Sequence, residues 1–252
     1  MEWNTPNKNA IRTDLFNNLV TDKPFECALM VPSEDCLCVK EGIKQGKINE
    51  DTEIVAIEKN GPSIPRLEKN LKKLGIKSFL VRQKRIEDLD LRYDFPHHKF
   101  DFVYLDSCGC YSCDIRKKLS DVIFPKCTDN ANVAFTFVNR KAGPSASDRC
   151  DWDSHCNDKL QQVFIDSVIE KVTPKNPKYE TKINLKEILY TVVNDIRMTN
   201  LEKLWFSWAR TYKRINGRCD PMATFLFNDN PSYSNNIDVG SKETVNMGYQ
   251  YA

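Results

Sequence analysis

Apolar residues in this chain come in short continuous runs that end abruptly at polar positions. The first, Phe25-Glu26-Cys27-Ala28-Leu29-Met30-Val31, stops at Pro32, and the second, Glu53-Ile54-Val55-Ala56-Ile57, stops at Glu58. A third, Ser78-Phe79-Leu80-Val81, leads into a polar turn. A fourth, Phe100-Asp101-Phe102-Val103-Tyr104-Leu105, stops at Asp106, and a fifth spans 132–138. Runs of this length are what strands buried on both faces require, and helical patterns separate them. Ser33 is placed to cap a helix that ends near Gly42 or Gly46. Ser63 is placed to cap another, in which Ile64, Leu67, Leu71 and Leu74 share a face up to a stop at Gly75. Upstream, Ile11, Leu15, Phe16 and Leu19 lie on roughly one helical face within 10–19. Residues 114–122 form a further helical pattern.

Beyond Arg140 the pattern changes. Leu160, Val163, Phe164, Val168 and Val172 predict a long helix over 152–172, and Asn184 caps another through Ile196. Residues 201–214 and 222–227 read as two strands joined by a turn at Asn216-Gly217, with Leu204, Phe206 and Trp208 alternating against Trp205, Ser207 and Ala209. The predicted fold is α/β: a doubly wound, mostly parallel seven-stranded sheet with helices on both faces and a C-terminal antiparallel hairpin. The expected organisation is an N-terminal helical extension (1–24), one Rossmann-like domain (25–227, with a helical insertion at about 145–200) and a loose tail (228–252).

Composition narrows the picture little. The chain has 252 residues and a formal net charge of +2, a balance that neither demands nor excludes a nucleic-acid partner. No apolar run approaches a membrane span, and the first residues lack the form of a signal peptide, so a cytoplasmic or other intracellular location is expected. Ten cysteines are then expected as thiols or metal ligands rather than disulfides. Cys108, Cys110 and Cys113, with Cys127, Cys150, His155 and Cys156 available, could hold zinc; their spacing lacks the usual paired halves, and free thiols are the alternative.

In open α/β sheets, ligands bind outside the carboxyl ends of the strands. Those ends carry Pro32-Ser33-Glu34, Glu58-Lys59-Asn60 and Asp106-Ser107. The bland readings are a helix start for Glu34, a solvated acid for Glu58 and a turn or cap residue for Asp106.

The order of elements and the acidic strand ends resemble class I S-adenosylmethionine-dependent methyltransferases over about residues 25–227. The resemblance implies S-adenosylmethionine as cofactor. It implies that Glu58 binds the two ribose hydroxyls, that Lys59 flanks the adenine, and that the backbone N–H of Ile86 reads an adenine ring nitrogen. Arg85 stands where the family often has an acid. Asp106 matches the polar residue beside the transferred methyl and becomes the catalytic candidate, orienting the acceptor or taking its proton. Pro32, Ser33 and Glu34 fall in the turn that meets the methionine part of the cofactor. That turn departs from the family, since it has no glycine before Gly42 and its side chains crowd the approach. The Pro-Pro-aromatic motif of amino-group methylases and the Pro-Cys nucleophile of cytosine C5 methylases are both absent.

Lys69, Lys72, Lys73, Lys77, Arg82, Lys84 and Arg85 read either as a solvated face or as phosphate contacts, with Trp152, Trp205 or Trp208 as stacking candidates. Two functions therefore stand open. One is methyl transfer, with RNA or DNA as first guess for the acceptor. The other is a degenerate methyltransferase fold that binds a protein partner.

Overall fold

The computed structural model describes residues 6–110, 112–138, 156–172, 185–201, 203–212 and 222–229. Its described strands are β1 (Cys27–Met30), β2 (Glu53–Ile57), β3 (Phe79–Arg82), β4 (Phe100–Cys110), β5 (Cys127–Val138), β6 (Trp205–Tyr212) and β7 (Met222–Asn228). They form one sheet in the order β3-β2-β1-β4-β5-β7-β6. The first five run parallel to one another, and β7 is antiparallel to both β5 and β6. The described α-helices are α1 (Pro6–Asn17), α2 (Leu37–Lys44), α3 (Ile64–Lys73), α4 (Leu91–Asp94), α5 (Cys113–Lys118), α6 (Lys159–Val172) and α7 (Leu185–Arg197). The doubly wound sheet with a terminal antiparallel pair expected from the hydrophobic runs is thus the architecture found.

Alternation along the strands builds two cores. Ala28, Met30, Ile54, Ala56, Phe102 and Tyr104 face one side, where Ile11, Leu15 and Phe16 of α1, Val39 of α2, and Leu67 and Leu71 of α3 cover them. Leu29, Val55, Val103, Leu105, Val133 and Phe135 face the other, beneath Ile115 of α5, Phe164 and Ile165 of α6, and Leu189, Val192 and Val193 of α7. Phe102 anchors the first core, stacked on Phe25 at 4.7 Å with Phe16 edge-on at 5.5 Å. On the other side, Arg116 of α5 grips Asp195 of α7 through both carboxylate oxygens at 2.8 and 2.9 Å.

Several expectations are corrected. Strand β4 continues past Asp106 to Cys110, after a register shift, and β5 begins at Cys127 rather than at Asn132. Neither Ser33 nor Ser63 caps a helix through its side chain: α2 begins after Cys36, and a 3-10 turn over Gly61–Ser63 leads into α3. Gly75 does stop the α3 segment, at φ +80°. In β6 a bulge lies between Phe206 and Trp208, so the two residues enter opposite cores instead of sharing a face. Helix α6 begins at Lys159; residues 151–155, Asn184 and the turn at Asn216-Gly217 lie outside the described residues. No helix among the described residues is long and apolar enough to cross a membrane.

Candidate functional site

The sheet register assembles the site. Met30 of β1 pairs with Ala56 of β2 and Tyr104 of β4, and Ala56 pairs with Val81 of β3. Two residues further along each strand stand Pro32, Glu58, Asp106 and Gln83. At about 4.8 Å per strand, one row at the carboxyl edge carries three of the sequence candidates within about 10 Å. Lys59 is exposed beside Glu58, while Arg85 and Ile86 follow Gln83.

The turn after β1 has an unusual backbone. Ser33 and Cys36 take φ of 57° and 52°, the left-handed region that glycine adopts freely and other residues enter at about 1–2 kcal/mol each. Cys36 N–H closes the turn on the Ser33 carbonyl at 3.2 Å. The chain thus makes a glycine-type turn with side chains attached. Helix α3 braces it from outside: Arg66 reaches Glu34 at 3.1 Å and Asp35 at 2.9 Å, and Asn70 Nδ2 donates to the Glu34 carbonyl at 2.8 Å. Glu34 is therefore held by Arg66. The backbone N–H groups of Ser33, Glu34 and Asp35 have no acceptor among the described residues.

The next turn is organised by Glu58. Its N–H donates to the Arg82 carbonyl at 3.0 Å, and its Oε1 accepts from the Asn60 N–H at 2.7 Å. Its second carboxylate oxygen has no partner among the described residues. At Gly61 the Gln83 side-chain amide lies over the backbone, so a Cβ, at 2.6 Å from its nitrogen, would make that amide shift. The segment that follows β3 is closed by a buried acid that the sequence did not single out. Asp94 accepts from the Asp90 N–H at 2.6 Å and pairs with Lys84 at 2.8 Å, while Arg82 Nη2 donates to the Asp94 carbonyl at 3.1 Å. This clamp brackets the 3-10 turn Ile86–Asp88. The Ile86 N–H opens that turn and has no acceptor among the described residues.

Asp106 does not face an open groove unaccompanied. Lys8 of α1 places its Nζ 3.7 Å from Asp106 Oδ2. Below lie Tyr104, whose hydroxyl burial pushes well above its usual range, and the Thr136–Thr224 hydroxyl pair at 2.8 Å. Cys38 shares this floor, and burial pushes its thiol up to about 12, with Arg12 opposing the rise and Asp106 adding to it. The sequence held no signal for Lys8, because nothing in its spacing tells a solvated helix face from one laid over a strand end.

The cysteine cluster proves different from expectation. Cys113 is disulfide-bonded, whereas Cys27, Cys36, Cys38, Cys127 and Cys156 are buried free thiols. The side chains of Cys108 and Cys110, and residues Cys150 and His155, lie outside the described residues, and no group of three or more metal-ligating side chains occurs among those described. His98, at the amino end of β4, lies 3.5 Å from Glu53, far from the row of candidates.

The donor set fits a nucleoside-type cofactor. Among the described residues, a half-buried carboxylate with one unengaged oxygen suits ribose hydroxyls, an N–H without acceptor at Ile86 suits a ring nitrogen, and three such N–H groups at 33–35 suit a carboxylate.

No protein-family model matches the chain, and no curated protein matches it. Solved structures do. Trm5b from Pyrococcus abyssi matches at 10% identity with a TM-score of 0.52, over 90% of this chain and 50% of that one, so the chain spans half of its length. Ribosomal protein L11 methylase from Lactobacillus delbrueckii subsp. bulgaricus matches at 12% identity and 0.47, over 88% of this chain and 78% of that one. TYW2 from M. jannaschii, solved in complex with AdoMet, matches at 12% identity and 0.46, over 90% and 78%. At such identities the likeness is one of fold. The strand order, with β7 inserted antiparallel beside β5, states which: the chain has the class I methyltransferase fold.

Proposed function

We propose that this protein is an S-adenosylmethionine-dependent methyltransferase acting on nucleic acid. The observation that carries the reading is the row of Pro32, Glu58 and Asp106 on adjacent strands, flanked by the N–H groups of 33–35 and Ile86, which have no acceptor among the described residues. In this reading Glu58 accepts from the ribose hydroxyls and the Ile86 N–H donates to the adenine ring. The turn at Pro32, Ser33 and Glu34 offers backbone donors to the methionine carboxylate. Lys59 and Arg85, both exposed, border the adenine. The cofactor supplies an electrophilic methyl on sulfur. The chain's own contribution is to fix the acceptor in line with it, a gain of proximity and orientation, with Asp106 orienting the acceptor or taking its proton.

Nucleic acid as acceptor rests on the exposed basic side chains Lys59 and Arg85 at the carboxyl edge. Lys69 and Lys73 are exposed further along α3, whereas Lys77 is engaged by Glu50 and Asp51, and Arg82 and Lys84 by Asp94. The stacking role considered for tryptophan is not open to Trp208, which is buried, and Trp205 lies under Arg197 at 4.9 Å. A second reading, a binding module without activity, is favoured by the side chains at Ser33 and Cys36 and by the ion pairs that occupy Glu34 and Asp106.

Incubation with methyl-labelled S-adenosylmethionine and, separately, total RNA, genomic DNA and a protein extract tests the proposal. Label in RNA or DNA, lost in Asp106→Ala, supports it. Label in protein alone overturns the acceptor, and a folded protein that neither binds the cofactor nor labels anything favours the second reading.

A further inference from the structure

Helix α1 does more than cover apolar surface. It is fastened on its flanks by Thr13, whose hydroxyl donates to Glu41 Oε1 at 2.9 Å, and by Asp14, which pairs with Arg210 of β6. Ile11, Leu15 and Phe16 seat it on the sheet. With that orientation fixed, the two cations four residues apart in its first turns are carried inward: Lys8 is 4% and Arg12 7% exposed. An ammonium so buried is rare unless paired, and Lys8 is brought to 3.7 Å from Asp106, itself only 15% exposed. The charge at Asp106, where the register of β4 shifts, is therefore modulated by a residue about a hundred positions away in the chain.

On the proposed function, this matters because the cofactor and its product differ in charge at one atom. S-adenosylmethionine carries a sulfonium cation where S-adenosylhomocysteine has a neutral thioether. A lone carboxylate beside that atom favours the cation, and an ammonium on the carboxylate offsets the preference. We propose that Lys8 and Asp106 form a charge pair that determines how the site discriminates a cationic sulfonium cofactor from its neutral thioether product. Lys8 is then a specificity residue supplied by α1, acting through Asp106.

The two halves of the pair make opposite predictions. Both Lys8→Met and Asp106→Asn break the same ion pair, so loss of support alone shifts the affinities for both ligands in the same sense. The charge account separates them. Lys8→Met removes one positive charge from beside the carboxylate, with Arg12 retained, and raises the preference for S-adenosylmethionine over S-adenosylhomocysteine, by about tenfold for one charge near a partly buried site. Asp106→Asn leaves the ammonium and lowers that preference by a similar factor. Lys8→Arg keeps the charge and leaves the ratio within about twofold of wild type.

The measurement is calorimetric titration of both ligands into the full chain and the three variants, with thermal unfolding to establish that each is folded. Opposite shifts for Lys8→Met and Asp106→Asn, with Lys8→Arg near wild type, support the pair. A ratio that stays constant, or moves the same way in both variants, overturns it while leaving the methyltransferase reading intact. Failure of the folded wild type to bind either ligand rejects that reading, and the discrimination with it.

Discussion

The thiols in the turn after β1 make the account testable without any ligand. Cys36 and Cys38 are fully or almost fully buried beneath that turn, and Cys27 lies at the start of β1. Burial pushes all three thiols from 9.0 up to about 12; Cys38 adds to the rise at Cys36, and Glu53 to that at Cys27. Only the thiolate alkylates. At pH 8 a thiol of pKa 9.0 is about one-tenth ionised, and one near 12 about one part in ten thousand, so native alkylation is slowed about a thousandfold by ionisation alone. The same shift fixes a stability trend. The folded pKa values are raised, so between pH 9 and 12 the native state holds protons that the unfolded chain has lost. Stability is complete below about pH 9 and falls as pH rises, by about 1.4 kcal/mol per pH unit for each thiol and about 4 for the three together. Against a total of about 5–15 kcal/mol, a loss on that scale removes a large part of the stability before about pH 12. The assay is urea unfolding at stepped pH for the wild type and for Cys36→Ala/Cys38→Ala, with iodoacetamide labelling read peptide by peptide. The double variant should flatten the alkaline slope by about 3 kcal/mol per pH unit. An unchanged slope, or native labelling of the Cys36 peptide at the rate of a free thiol, would refute the burial argument.

Three further outcomes follow from the packing. Phe102→Ala removes the ring that joins Phe25 and Phe16 in the core under α1, and should destabilise by about 3–5 kcal/mol in urea unfolding. Arg116→Ala frees Asp195 and should cost about 1–3 kcal/mol, with amide exchange rising in α7 before β1 or β4. Asp94→Ala unclamps the segment after β3, so exchange at Ile86–Leu89 should rise and cofactor affinity should fall about tenfold; unaltered exchange there would remove the clamp from the account.

The parts of the fold that were legible are those where burial on both faces forces continuous apolar runs. That condition holds for β1 and β2, so their ends at Pro32 and Glu58, and hence the row of candidates, could be read directly. It fails at Ser107–Cys110 and Cys127–Ala131, where polar and small residues extend β4 and β5. The bulge that sends Phe206 and Trp208 into opposite cores is invisible to a strict period of two. The absence of glycine after β1 suggested a blocked approach, because sequence gives residue preference and not φ; tertiary bracing by Arg66 and Asn70 accompanies left-handed geometry at Ser33 and Cys36 all the same. Lys8 and Asp94 were missed for a related reason. Lys8 meets a carboxylate about a hundred positions away, and Asp94 closes an irregular turn, so neither carries a periodic signal.

The central claim is that the carboxyl edge of β1, β2 and β4 binds S-adenosylmethionine through Glu58. The most direct measurement is calorimetric titration of S-adenosylmethionine and S-adenosylhomocysteine into wild type and Glu58→Ala. The account predicts binding in the micromolar range, about −8 kcal/mol, weakened at least tenfold by the substitution in a protein that unfolds like wild type. No heat from either ligand with a folded wild-type sample, or equal affinity in Glu58→Ala, would contradict it.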